Sequence, residues 1–385
     1  MSGAMRGLVR NLTAAVLGLV AGVLVLMVAS AAGWTTRTPA RYRLVAEDAS
    51  APLRTIAIHY APAADEVALP VWRQLFAVLP ARVDVEVAVA AAPDFDRFVG
   101  LMAKAGVAHR ERFHPVVVGH ELTTWSRDRF AALVGPDGEG GVLAPPAVET
   151  AFGGRAGDML APHAIARAVW GGPARTSKVV FEGGDLAASS HTLFVGAEVM
   201  RRSRGRGASD RQTIDRELRR QFGEPIVWLG DEPGDVPHHH VMMFMVPLDD
   251  HTVLVGDPRA GAAMAAREPA AAGLALDDDL DGDARRFERV AELLAARGYR
   301  VLRVPVVVLA GAGSYVTYTN ALFDREPGPG GRPIVYLPTY GLPSLDEAAA
   351  AQYASLGYIV HPIDVSGIYQ LNGSIGCLVN VMARA

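Results

Sequence analysis

The stretch Asn372-Gly373-Ser374-Ile375-Gly376-Cys377-Leu378 holds the only cysteine in 385 residues, after two glycines and beside a short apolar run that ends the chain. A lone cysteine is ordinarily a small buried hydrophobe. Three further stretches give this one a chemical context: Trp125-Ser126-Arg127-Asp128, Phe181-Glu182-Gly183-Gly184-Asp185 and His238-His239-His240. A thiol, an imidazole and several carboxylates are the groups nucleophilic catalysis needs: an attacking sulfur, a proton carrier and anions that orient both.

Each stretch also has a plainer reading. Paired glycines let the backbone turn tightly at a strand end and leave Glu182 facing whatever lies there, but in isolation the pattern is a turn with a solvated acid. Trp125 to Asp128 alone reads as a core tryptophan beside a surface ion pair. Consecutive histidines cannot all point the same way on an extended chain, and no second cluster with metal-ligand spacing accompanies them. A general acid/base at the mouth of the apolar strand Val241 to Val246 therefore suits them better than a metal site. The chain has no P-loop, no dinucleotide-binding glycine fingerprint after its first strand and no Gly-x-Ser-x-Gly elbow.

The elements that would carry these residues alternate. Strands are expected at Thr55–Tyr60, Val83–Val89, Pro115–Val118, Val179–Phe181, Thr192–Val195, Ile226–Leu229, Val241–Val246, Thr252–Gly256, Tyr299–Val308, Ile334–Leu337, Tyr358–Pro362 and Ser374–Val381. Apolar spacing predicts helices over Pro70–Leu79, Asp94–Ala105, Asp210–Phe222, Asp283–Arg297 and Leu345–Leu356. The alternation predicts an α/β fold built of repeated units with several strands and one helix each. Glycine and proline mark the loops, and the alanine- and aspartate-rich run Glu268–Asp283 reads as a flexible insertion.

Half the residues are hydrophobic and 20% are charged, so the chain can bury a large core. A net charge of -4 gives no footprint for nucleic acid. From Asn11 to Thr36 there is no charged residue, and Ala14 to Ala32 is almost wholly apolar. Residues 1–35 read as a signal peptide cut near Ala29-Ser30-Ala31 or as an uncleaved anchor that crosses a membrane through residues 12–33. The length of the apolar stretch favours the anchor. Residues 36–54 read as a polar tether and residues 55–385 as one catalytic-like domain, placed on the periplasmic or extracellular side.

The ordered set resembles the guanidino-group-modifying superfamily, which includes agmatine deiminases, arginine deiminases and peptidyl-arginine deiminases. The matching stretches are Trp125-Ser126-Arg127-Asp128, Glu182-Gly183-Gly184-Asp185, His240-Val241-Met242-Met243-Phe244, Tyr318-Thr319-Asn320, Pro338-Thr339-Tyr340-Gly341 and Gly373-Ser374-Ile375-Gly376-Cys377. The resemblance implies the pentein fold, a five-bladed α/β propeller of ββαβ units around a central channel, and a small guanidine or arginine-containing substrate. It implies Cys377 as nucleophile, His240 as acid and base, Glu182 as its partner, and Asp128, Trp125, Arg127, Asp185 and Asn320 around the substrate. It calls for no metal and no organic cofactor. Cys377 as thiolate would attack the guanidinium carbon and form a covalent thiouronium, and His240 would protonate the departing amine and then activate water.

Three positions depart from the pattern. Met242 stands where the family has a second substrate-binding aspartate, and loss of one charged hydrogen bond costs about 1.5–3 kcal/mol, or roughly ten- to hundredfold in affinity. Gly376 replaces the histidine of agmatine deiminases, which argues against agmatine itself. Asp185 in place of their asparagine leans towards the arginine-type branch. Three functions follow in order: an amidinohydrolase that releases ammonia or an amine, a degenerate pentein that only binds a ligand or partner, and an amidinotransferase.

Overall fold

The computed structural model describes residues 42–146, 155–204, 206, 210–311 and 314–385. The expected N-terminal apolar helix falls outside the described residues. Among the described residues no helix is long and apolar enough to cross a membrane.

The described chain begins with β1 (Arg43–Leu44), β2 (Leu53–His59), α1 (Asp65–Val78), β3 (Asp84–Val89), α2 (Ala92–Lys104) and β4 (Phe113–Val117). Next come β5 (Ala131–Val134), β6 (Gly140–Ala144), α3 (Ala156–Trp170) and β7 (Arg175–Thr176). They are followed by β8 (Leu186–Ala188), β9 (Leu193–Gly196), α4 (Glu198–Ser203), α5 (Arg211–Gln221) and β10 (Ile226–Leu229). The third run is β11 (Met245–Pro247), β12 (Thr252–Asp257), α6 (Pro258–Ala265), α7 (Leu280–Ala296), β13 (Arg300–Val308) and β14 (Tyr315–Thr317). Then β15 (Leu322–Arg325), β16 (Pro333–Thr339), α8 (Pro343–Ser355) and β17 (Ile359–Asp364) lead to α9 (Ile375–Leu378) and β18 (Val379–Arg384).

These strands form five sheets, ordered β18-β2-β3-β4, β1-β5-β6-β7, β10-β9-β8, β11-β12-β13-β14 and β15-β16-β17. One pattern recurs in all of them. A leading strand pairs antiparallel with a second, the chain crosses through a helix, and a third strand returns parallel to the second. A parallel return needs such a crossover, whereas the antiparallel pair needs only a turn. In the first-named sheet the leading strand is β18, which comes from the C-terminal end and pairs antiparallel with β2. The two ends of the body are thereby tied in one sheet. The helices bury their apolar faces on these sheets: in α1, Leu69, Trp72, Leu75 and Phe76 are buried, and Phe76 meets Phe113 and Phe98 edge-on with centroids at 5.0 and 6.1 Å.

The α/β alternation holds, with several local corrections. The presumed tether is part of the body from Tyr42 onward: β1 pairs with β5, and Leu44, Val45 and Asp48 are buried. Val179–Phe181 is buried but irregular, because β6 takes its parallel partner from Arg175–Thr176. Val241–Val246 splits into a 3-10 turn, Val241–Met243, and then β11. Ser374–Val381 likewise splits into α9 and β18. In both cases a uniformly apolar run hides the turn, since turn and strand are equally buried. The Glu268–Asp283 run is not a loose insertion. Ala271 is buried, Leu276 bridges Leu309, and Glu268 accepts hydrogen bonds from the Ser344 amide and hydroxyl at 2.9 and 2.8 Å.

Asp324 on β15 closes the body between two sheets. It accepts from the Leu53 amide at 2.6 Å and from Arg82 at 2.8 Å, and it is fully buried. Breaking a buried pair by removing one partner strands the other charge. Asp324→Ala should lower the unfolding free energy by about 3 kcal/mol, read as a shifted urea midpoint with an unchanged slope.

Candidate active site

Each leading strand is preceded by a short turn, and the residues singled out from the sequence stand in those turns. Trp125–Asp128 precede β5, Glu182 precedes β8, His240 precedes β11, Asn320 precedes β15, and Cys377 lies on α9 directly before β18. The turns are joined to one another in a closed ring. The Arg127 amide donates to Cys377 O at 3.2 Å, the Gly183 amide to Asp128 O at 2.8 Å, and the Gly376 amide to Asn320 O at 3.3 Å. Thr319 Oγ1 donates to Met242 O at 2.8 Å, and His240 Nε2 meets Glu182 Oε2 at 3.0 Å. Turns that lie far apart in the chain, Arg127 and Cys377 most of all, are fixed relative to one another by buried polar groups that must find partners.

A cavity of about 160 Å³ opens among these turns, lined by Trp125, Asp128, Arg155, Glu182, His239, His240, Leu371, Asn372 and Cys377. His240 is buried with its Nε2 3.0 Å from Glu182 Oε2, and it lines the cavity together with Cys377. Burial opposes its charge, but Cys377, Glu182 and Asp128 together outweigh burial and push His240 well above the ordinary imidazole value. Burial would likewise raise Glu182, yet the hydrogen bond and charge of His240, with Arg202 and Arg129, hold its carboxyl well below the usual range. Arg129 reaches Glu182 Oε1 at 2.7 Å and Arg202 reaches Oε2 at 2.6 Å. The neighbouring His239 goes the other way: burial and the charge of His240 push it down to about 3. The two neighbouring imidazoles are thus pushed in opposite directions.

His239 also explains how two consecutive histidines line one cavity. Its φ of 78° lies in the left-handed region, which breaks the alternation of an extended chain. The two rings stand edge to face with centroids at 4.3 Å, while His238 is exposed. Gly184 makes room for the imidazole: a Cβ there would lie 2.3 Å from the His240 ring. Gly376 does the same for Asn320, whose Oδ1 would lie 2.1 Å from a Cβ. With Asn320 in this place, a histidine at 376 has no room. Asn320 Nδ2 lies 3.1 Å from Cys377 Sγ, so the sulfur has an amide donor beside it.

Not every expected residue reaches the cavity. Arg127 is buried, ion-paired with Glu47 and hydrogen-bonded to Leu186 O at 3.0 Å, and ties β8 to the segment after β1. Asp185 is fully buried below the turn. It accepts from the Glu182 amide at 2.8 Å and from Arg202 at 2.8 Å, so it shapes the turn that presents Glu182. Asn320 touches the sulfur from behind and does not line the cavity. Met242 is buried outside the lining, so an apolar substrate group does not meet it there. Sequence reasoning missed Arg155, His239, Leu371 and Asn372 as lining residues, and Arg129 and Arg202 as partners of Glu182. Arg129 is adjacent to the Trp-Ser-Arg-Asp stretch and was within reach of it. Arg202 and Arg155 carry no local signal. Among the described residues no group of three or more His, Cys, Asp or Glu is placed to hold a metal ion.

The Glu182–His240 pair has a pH signature. The depressed Glu182 contributes stability above its ordinary 4.5 and loses it as pH falls through its lower folded value. The raised His240 contributes fully below its ordinary 6.5 and loses it as pH rises through its higher folded value. Glu182→Gln should therefore cost most, about 3 kcal/mol, between about pH 4.5 and 6.5, where both contributions are fully present. The cost should shrink on both sides of that window in pH-dependent urea unfolding.

The sequence matches the profile of the Porphyromonas-type peptidyl-arginine deiminase family over residues 60–382. No curated protein sequence matches the chain. Among solved structures it is similar to the C. jejuni agmatine deiminase, at 16% identity and a TM-score of 0.63, with 89% of this chain and 97% of that one covered. An agmatine deiminase of Enterococcus faecalis aligns at 13% identity and a TM-score of 0.64, covering 89% and 96%. A structure described as a putative peptidyl-arginine deiminase aligns at 15% identity and a TM-score of 0.62, covering 88% and 97%. At these identities the structures speak for the fold, which is pentein-like α/β, and the profile speaks for the family. The chain belongs to the Porphyromonas-type peptidyl-arginine deiminase family of guanidino-group-modifying enzymes, hydrolases of carbon–nitrogen bonds in linear amidines.

Proposed function

We propose that this protein is a cysteine-dependent amidinohydrolase that converts a small guanidine or arginine-containing substrate to the corresponding urea, with release of ammonia or an amine. The observation that carries the reading is that Cys377, His240, Glu182 and Asp128 line one cavity, with His240 held by Glu182 at 3.0 Å. The five sheets with their recurrent unit and ring of turns are, on this reading, the five blades of a pentein propeller with the cavity at its centre.

The steps follow from the geometry. Asp128 receives the substrate guanidinium through charge-assisted hydrogen bonds. Cys377 Sγ attacks the guanidinium carbon as thiolate and forms a carbon–sulfur bond. One carbon–nitrogen bond then breaks, and the imidazolium of His240 gives its proton to the leaving nitrogen. The covalent thiouronium remains. Neutral His240 takes a proton from water, the resulting hydroxide attacks the same carbon, and the carbon–sulfur bond breaks to return Cys377 and release the ureido product. A resting His240 held in its cationic form suits the first of these proton transfers, and Glu182 keeps the ring oriented for both.

A second reading, a binding module without turnover, draws on the missing carboxylate at Met242 and on Arg155, whose guanidinium already sits 2.8 Å from Asp128. A colorimetric screen for ureido product and ammonia separates the two, run on arginine, agmatine, methylated arginines and arginyl peptides. The hydrolase predicts turnover of at least one of them and its loss by at least about a thousandfold in a folded Cys377→Ala. Equal turnover in that variant would remove Cys377 from the chemistry, and silence of the wild type on all substrates would favour the binding module.

The apolar stretch Ala14–Ala32 completes the proposal as an export signal or membrane anchor. N-terminal sequencing of the protein recovered from a membrane fraction should begin before Ala14 if the segment is an anchor, and after Ala31 if it is cleaved.

A further inference from the structure

The chemistry proposed above asks Asp128 to receive a guanidinium, and in the structure Asp128 already holds one. Arg155 Nη2 lies 2.8 Å from Asp128 Oδ2, while Arg155 Nε lies 2.8 Å from Asp158 Oδ2. The same Nη2 donates to Thr123 Oγ1 at 3.2 Å. Asp158 is firmly fixed: it is fully buried, accepts from the Thr123 amide and hydroxyl at 2.8 and 2.6 Å, and has His59 Nδ1 at 3.7 Å. Arg155 thus spans two carboxylates of different standing. Asp158 lies behind it, enclosed by Thr123 and His59, and Asp128 lies in the cavity with Cys377 and His240. The Arg155 side chain is 23% exposed, against 0% for Asp158. It can leave Asp128 and keep its bond to Asp158.

The charges around the cavity make that departure a condition of binding. Glu182 is matched by His240, Arg129 and Arg202, and Asp128 is matched by Arg155. Asp128 and Glu182 are the acidic residues of the lining, so an incoming cation meets no uncompensated anion on the described walls. Two guanidinium groups on one carboxylate repel each other in a poorly solvated site.

We propose that Arg155 is a specificity-determining residue, an internal guanidinium that occupies the substrate's place on Asp128 and admits only a cation able to displace it towards Asp158. The inference rests on Asp128 as the guanidinium-binding carboxylate, and it deepens the reading above. A minimal cation competes poorly with a side chain tethered beside its seat, because the tethered group has a high effective concentration. A substrate with further contacts at the cavity mouth, where Leu371 is 54% exposed, gains what it needs to compete.

The test uses Cys377 as reporter and needs no turnover. Full-length wild type, Arg155→Ala, Arg155→Gln and Arg155→Lys are inactivated with 2-chloroacetamidine, a planar cation, and with iodoacetamide, a neutral alkylator of similar size. Label on Cys377 is read by mass spectrometry, and folding is checked by circular dichroism. The ratio of the two rates cancels changes in intrinsic thiol reactivity. Arg155→Ala and Arg155→Gln should raise the ratio about tenfold or more, through a lower half-saturating chloroacetamidine concentration, since one charge-assisted hydrogen bond is vacated. Arg155→Lys should keep the wild-type ratio, because it restores a cation to the two carboxylates. If the alanine and glutamine variants do not fold, Arg155→Met retains the apolar stem and is read in their place. An unchanged ratio, or Cys377 inert to chloroacetamidine in every folded variant, overturns the proposal. A fall in the ratio also overturns it and makes Arg155 a ligand of the incoming group. Failure of the hydrolase reading would appear separately, as absent turnover with the probe ratio still shifted.

Discussion

Five turns joined in a ring hold this site, and the rest of the body can be read as the means of closing it. Each turn leads into the first strand of a different sheet, so its position is set by that sheet, and a backbone or side-chain polar group of each turn is then bonded to the next. The bonds between Cys377 and Arg127, Asp128 and Gly183, His240 and Glu182, Met242 and Thr319, and Asn320 and Gly376 leave none of the five turns to settle by itself. Burial enforces the closure, since a buried amide or carbonyl without a partner is costly. The antiparallel pairing of β18 with β2 supplies the last join, because it brings the turn that carries Cys377 to the start of the folded chain.

The ring also explains why charges are tolerated so far from water. Asp128, Glu182 and His240 are each less than a tenth exposed. A buried charge survives when partners and hydrogen bonds repay its desolvation, and here the partners are shared. Glu182 serves His240, Arg129 and Arg202 at once, and Arg202 continues to Asp185 beneath the turn. Such a network fixes the imidazole in place, which on the proposed hydrolase reading leaves little reorganisation for the reaction. It also makes Asp185 a support of the site, although its sequence context is indistinguishable from that of Asp128 and Glu182.

Glycine sets the tolerances. The Glu-Gly-Gly-Asp turn can be seen in the sequence as a tight bend, but only the assembled ring shows what it and the Gly-Ser-Ile-Gly-Cys turn admit. At Gly184 it is the His240 ring, and at Gly376 it is the Asn320 amide that stands beside the sulfur. The residue at 376 therefore bears on the position of Asn320 as much as on the identity of the substrate.

The alternation of strands and helices, the chemical types at Asp128, Glu182, His240 and Cys377, and the place of His240 before an apolar strand were legible in the sequence. These are local properties: periodicity, composition, and glycine or histidine at a strand mouth. The splitting of Val241–Val246 and Ser374–Val381 into a turn and a strand was not legible, because a buried turn and a buried strand present the same apolar residues. The contribution of residues 42–54 to the body was likewise hidden, since their pairing partner lies far along the chain. Arg155 and Arg202 could not be assigned to the site, because an arginine looks the same in sequence whether it meets water or a buried carboxylate. The sequence determined which chemical groups this protein carries and in what order. The tertiary structure alone decided which of them share a cavity and which charges are already paired, because both depend on contacts between sheets whose residues are distant in the chain.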